Sequence, residues 1–146
     1  MKTSVAYFSA CLASLLAALA AAATPALTAT DAWIRALPGT DVAAAYLTVH
    51  NTGTAPISIV GVRSPVAAMA MIHETRLIGT QSTMRAREEL VLAPGETVHF
   101  APGALHVMLH GLVRALKPGE DVPLVLLLKG GDTREVSAHV RALGQE

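Results

Sequence analysis

The chain of 146 residues is short of three things, and each shortage excludes a class of chemistry. It has one cysteine, Cys11, which lies within an apolar N-terminal run. A chain that loses this run keeps no thiol, so disulfides, cysteine-based zinc sites and thiol catalysis are all excluded. A blue-copper electron-transfer centre is excluded too, because it needs a cysteine thiolate. Net charge is also absent: eleven Lys and Arg balance eleven Asp and Glu, leaving no general attraction to nucleic acid or anionic membrane. Aromatic residues make up only 3% of the chain, so Val, Leu, Ile, Ala and Met must fill whatever core it has.

What is present begins with the run itself. Lys2 is followed by "VAYFSACLASLLAALAAAA" without a charge, and small residues precede Thr24 and Pro25. A short basic start, an apolar stretch and an Ala-x-Ala ending predict a secretory signal peptide over residues 1–23, with export to the periplasm. The alternative is an uncleaved membrane anchor, but the small-residue ending favours removal. Residues 24–146 then form one domain, expected not to span a membrane and to be a monomer.

Beyond the leader, short apolar or alternating runs are separated by turn residues. "VAAAYLTVH" ends at Asn51-Thr52-Gly53, and "LVLAPGETVHFAPG" contains Pro94-Gly95 and Pro102-Gly103. "LHVMLHGL" is followed by Lys117-Pro118-Gly119 and "VPLVLLLKGG". Many short strands with turn chemistry between them predict an all-β, antiparallel Greek-key β-sandwich. "VAAMAMIHETRL" is helix-compatible by propensity, since Ala, Met and Leu are good helix formers, but its place in a series of strands argues for a strand.

Strand alternation then exposes two rows. His106, Met108 and His110 are spaced by two, as are Met69, Met71 and His73, so each trio lies on one face of its strand. The candidate metal ligands are His73, Met84, His106 and Met108. Thioether and imidazole donors without carboxylates favour Cu(I) over Ca²⁺, Mg²⁺ or Mn²⁺, and zinc gains little from thioether sulfur. The competing reading is bland: Met is a common gap-filler, and a lone His is usually a satisfied surface or core residue.

The spacing of these residues resembles that of the periplasmic copper chaperones called PCu(A)C, whose motif is H-x10-M-x21-H-x-M. His73, Met84, His106 and Met108 match every gap. The likeness continues through "DAWIRALPGTDVAAAYLTVHNTG", "SPVAAMAMIHE", "LAPGETVHFAPGALHVML" and "GLVRALKPGEDVPLVL", which covers nearly all of the chain after the leader. The resemblance implies a cupredoxin-like sandwich that binds Cu(I) through those four residues. It further implies delivery of copper toward the CuA centre of cytochrome c oxidase, alongside a Sco-type thioredoxin-fold partner. The chain departs from the family where "ETRLIGTQST" lacks the extra methionines of many relatives, which loosens the alignment of Met84. His110 stands where relatives often have Met, and the C-terminus "RALGQE" lacks a His- and Met-rich tail.

Other residues carry weaker expectations. His110 reads as a partly exposed strand histidine first and an auxiliary donor second. His99, His50 and His139 read as surface residues. Met69 and Met71 read as core packing, although Met71 could shield a metal. Trp33 could be a core anchor or a neighbour of the metal. Two other classes of function compete with copper carriage: a metal-free interaction module, and a metal-dependent enzyme. No enzyme is expected, because Glu74 is the only carboxylate beside a candidate ligand and alternation turns it to the opposite face.

Overall fold

Period-two burial organises the chain, and the computed structural model describes residues 26–145 of it. The predicted leader and Cys11 lie outside the described residues. Ten strands follow in order: β1 (Leu27–Ala36), β2 (Val42–Asn51), β3 (Ile57–Arg63), β4 (Ala67–Ile78), β5 (Gln81–Ala86), β6 (Leu90–Leu92), β7 (Thr97–His99), β8 (Leu105–Leu112), β9 (Asp121–Leu128) and β10 (Thr133–Arg141). No helix occurs among the described residues, and none there is long and apolar enough to cross a membrane. The stretch that could have been helical is the long strand β4.

The strands run in the order β5-β4-β8-β2-β1-β10-β9-β3-β6, and a further pairing of β3 with β4 joins the path into a ring. That closure rests on the pair Val62↔Ala70. Closing the sheet removes edges along most of its length, which leaves β5 and β6 as appendages at the seam. The expected all-β architecture is present, with one difference from an all-antiparallel plan. Strand β1 pairs with β10 in parallel, Trp33 opposite His139 and Arg35 opposite Arg141. A parallel pair needs a long connection, and here the whole chain between the first and last strands provides it.

Aliphatic side chains fill the interior, as the scarcity of aromatics requires. Ala43, Ala45, Leu47 and Val49 point inward from β2, Val107 and Leu109 from β8, and Val122, Leu124, Leu126 and Leu128 from β9. Phe100 is the aromatic member of this cluster. Because residues of one parity fill the core, the other parity of β4, β8 and β2 lies on the outer face. That parity carries the two rows of His and Met.

Candidate metal centre

Strands β4 and β8 pair antiparallel with His73 opposite His106, Met71 opposite Met108 and Met69 opposite His110. The two rows found in the sequence are therefore one ladder. Antiparallel partners face each other across a pair, so the register alone brings the two histidines side by side. Their ring centroids are 5.8 Å apart, with planes at 88°. Ile72 on β4 and Val107 on β8 point the other way, into the core, and lock the register by burial.

Met84 arrives from β5, which folds back on β4 with Thr75 opposite Met84 and His73 opposite Ala86. Its Sδ lies 3.2 Å from Nδ1 of His73. The structure thus places the thioether of Met84 beside the histidine. It is 53% exposed, on a strand at the end of the sheet path, whereas His106 is 5% exposed.

The tautomer of a neutral His106 ring follows from one hydrogen bond. Nδ1 lies 3.1 Å from the carbonyl oxygen of Ala104. A carbonyl can only accept, so Nδ1 carries the hydrogen and Nε2 holds the free lone pair. This is the arrangement by which a second partner fixes the tautomer of a ligating imidazole. Partial burial, and then the nearby imidazoles of His106 and His110, push the pKa of His73 below its ordinary 6.5. Both effects keep that ring neutral and its lone pair available.

No carboxylate competes here. Glu74 Oε2 accepts from Arg76 at 3.1 Å and from Arg87 at 3.2 Å. The hydrogen bond from Arg76, reinforced by the charges of both arginines, holds the Glu74 carboxyl below its usual range. Among the described residues no group of three or more His, Cys, Asp and Glu is placed to hold a metal.

The geometry corrects one expectation and locates several other residues. Met69 and Met71 do not pack in the core: both lie on the outer face, and Met69 is 53% exposed. The reason is parity, since Ile72 claims the inward positions of β4. His110 is half-buried and close to the others, its ring 6.1 Å from that of His73. Trp33 is on the outer face, stacked at 4.4 Å on Tyr46, whose ring is 6.5 Å from His106. Tyr46 was missed in the sequence, although its place in the alternation of β2 puts it on the site's face. His50, His99 and His139 are surface residues as expected. They pair through Nδ1 with Thr97 Oγ1, Thr48 Oγ1 and Asp121 Oδ1 respectively.

Comparison with known proteins adds an independent finding. The family described as LpqE-like, "Putative lipoprotein LpqE-like", matches residues 27–140. The protein named "Putative lipoprotein Lxx21020", from Leifsonia xyli subsp. xyli, is 33% identical over 111 residues, 75% of this chain. The match spans 66% of that relative's own length. Among solved structures, CuI-DR1885 from Deinococcus radiodurans is 33% identical with a TM-score of 0.66, covering 85% of this chain and 83% of that one. The copper-bound PCuAC domain from PmoF2 is 25% identical with a TM-score of 0.67, covering 82% of this chain and 96% of that one.

Proposed function

The chain belongs to the LpqE-like family and shares the fold of PCuAC domains, and from that premise we propose that it is a copper chaperone whose cargo is Cu(I). The ion is held by His73, Met84, His106 and Met108. One observation carries the assignment: β4, β5 and β8 bring a thioether 3.2 Å from one imidazole and a second imidazole 5.8 Å away, ring to ring. Met108 shares the face of His106 two residues along β8.

The donor set suits the cargo. Two neutral imidazoles and two thioethers are soft or borderline ligands, and Cu(I) is the common ion that prefers them. Their unequal exposure suggests how the ion moves. His106, buried and fixed by Ala104, is the anchor, and Met84 is the ligand that an incoming donor displaces first. Exchange of one ligand at a time lets copper pass without release as a free ion. The chain's own groups thus bind and orient the cargo; no general acid or base is needed, and Glu74 is occupied by two arginines. On this reading the protein is not an enzyme.

The setting of the reading is extracytoplasmic. The leader-like residues 1–23 and the lipoprotein name borne by the relative support export, and a thiol-free site suits an oxidising compartment. There the protein delivers copper toward the CuA centre of cytochrome c oxidase, with a Sco-type protein as the further partner that the sequence resemblance suggests. Titration of the purified domain with Cu(I) against a competing chelator tests the core of the proposal. One tightly held ion is the expected result, lost in His73→Ala and held more weakly in His106→Ala. A protein that takes no Cu(I) from the chelator would instead be a metal-free interaction module.

A further inference from the structure

We propose that His110 is an additional Cu(I) donor, which with His73 and Met108 gives the ion a second position, displaced along β8 away from His106. The inference rests on the copper-carrying reading above and extends it to the path of the ion. Its first support is an orphaned atom. Nε2 of His110 is buried and has no hydrogen-bond partner among the described residues. A buried nitrogen left unpaired is destabilising, so such groups in folded proteins call for an explanation. A metal ligand is one, because the lone pair is then used only when the ion is present.

The second support is distance. Two imidazoles that share one ion at a bond length of about 2.0–2.1 Å have ring centroids roughly 5–6 Å apart, depending on the angle between them. The pair His73 and His106 is at 5.8 Å, and the pair His73 and His110 at 6.1 Å. His73 is thus within sharing distance of both. His106 and His110 are four residues apart on an extended strand, about 13 Å between Cα atoms, so one ion does not bind both closely. The imidazoles form two pairs with a common member, which agrees with the absence of a three-residue nitrogen and oxygen cluster among the described residues.

Thioethers fill the space between the pairs. Met108 lies midway between His106 and His110 on the same face, with Met71 opposite it, and Met69 lies opposite His110. An ion that exchanges His106 for His110 keeps His73 and Met108 throughout. The second position takes the same class of ligand as the first, a soft monovalent cation. No electron or proton transfer is involved.

Silver(I) tests the proposal, because it binds as Cu(I) does, does not oxidise in air, and couples magnetically to a ligating ¹⁵N. The ¹⁵N-labelled protein is titrated with Ag(I) while the imidazole nitrogens are followed by long-range ¹H–¹⁵N correlation. Shifts at His73 and His106 are expected as the first equivalent is added, with a smaller shift at Nε2 of His110 growing in step as the ion divides its time between the two positions. In His106→Gln, checked as folded by its amide spectrum, His73 and His110 should shift together from the start. A His110 signal that stays fixed through two equivalents in the wild-type protein overturns the inference, whether or not the variant folds. If no histidine shifts at all, the copper-carrying reading itself fails, and the two failures are thereby distinct.

Discussion

The state of each imidazole at the candidate site is set by its immediate surroundings. Ala104 fixes which nitrogen of His106 is free, and partial burial with two neighbouring imidazoles keeps His73 neutral below pH 6.5. The sign of the pH effect follows. A lowered pKa means the folded protein resists protonation of His73, so protons compete with the ion only once the pH falls below that depressed value. Cu(I) affinity should therefore hold near neutrality and decline toward pH 5, measured by chelator competition across that range. The same depression makes the ion-free fold less stable as pH drops below 6.5, because the unfolded chain then binds a proton that the fold refuses. Sulfur can be tested without disturbing shape. Met108→Leu keeps most of the volume and should change stability by less than about 1.5 kcal/mol in urea denaturation, while Cu(I) binding weakens markedly. Unchanged binding would remove Met108 from the ligand set.

At the scale of elements, the β4–β8 pair carries three of the four candidate donors, and β5 brings the fourth. Much of it was legible in the sequence, because alternation in "ALHVMLHGL" puts His106, Met108 and His110 on one face whatever else the chain does. Register was not legible. That His73 faces His106 depends on Ile72 and Val107 meeting in a common core, a long-range contact invisible to local pattern. Met69 and Met71 follow the same rule: their apolar character alone points inward, and the burial of Ile72 sets the parity of β4 that turns them outward. The strand end carries its own requirement. Gly111 follows His110 with φ of 63°, and a Cβ there would approach Ala68 Cβ to 3.0 Å. Gly111→Ala should destabilise the fold by roughly 1–2 kcal/mol, the cost of a left-handed conformation in a residue with a Cβ. Thermal unfolding of the ion-free protein measures it. Because the strained residue adjoins His110 rather than His106, copper loading at the first position should survive the change.

For the molecule as a whole, the ladder of His and Met and the closure of the barrel meet on one strand, since Ala70, which closes the ring against Val62, sits between Met69 and Met71 on β4. The sequence announced an all-β chain through its turns, yet neither the parallel return of β10 beside β1 nor the seam between β3 and β4 has a local signature, since each joins segments far apart in sequence. Asn51 shows how the far end is held. It is fully buried, its Nδ2 donates toward the carbonyls of Ala55, Leu92 and Ala93 at 2.8, 3.1 and 3.1 Å, and its Oδ1 accepts from the N–H of Gly53 at 3.0 Å. One side chain thus ties the end of β2, the turn after it and the exit of β6. Asn51→Ala would leave the buried Leu92 carbonyl and the part-buried carbonyls of Ala55 and Ala93 with a partner lost, at a cost of roughly 1–3 kcal/mol, seen as a lower midpoint in chemical denaturation. Asn51 lies toward the end of β2 away from Val42, the residue that pairs with His110, and shares no hydrogen bond with the four donors. Cu(I) affinity of the variant, measured well below its unfolding midpoint, should therefore equal that of the parent. Binding of the ion should in turn restore stability, by about 4 kcal/mol when free Cu(I) is a thousandfold above its dissociation constant, because only the folded ladder assembles the site. A variant whose copper affinity fell in step with its stability would show instead that the ladder and the barrel's far end form one cooperative device.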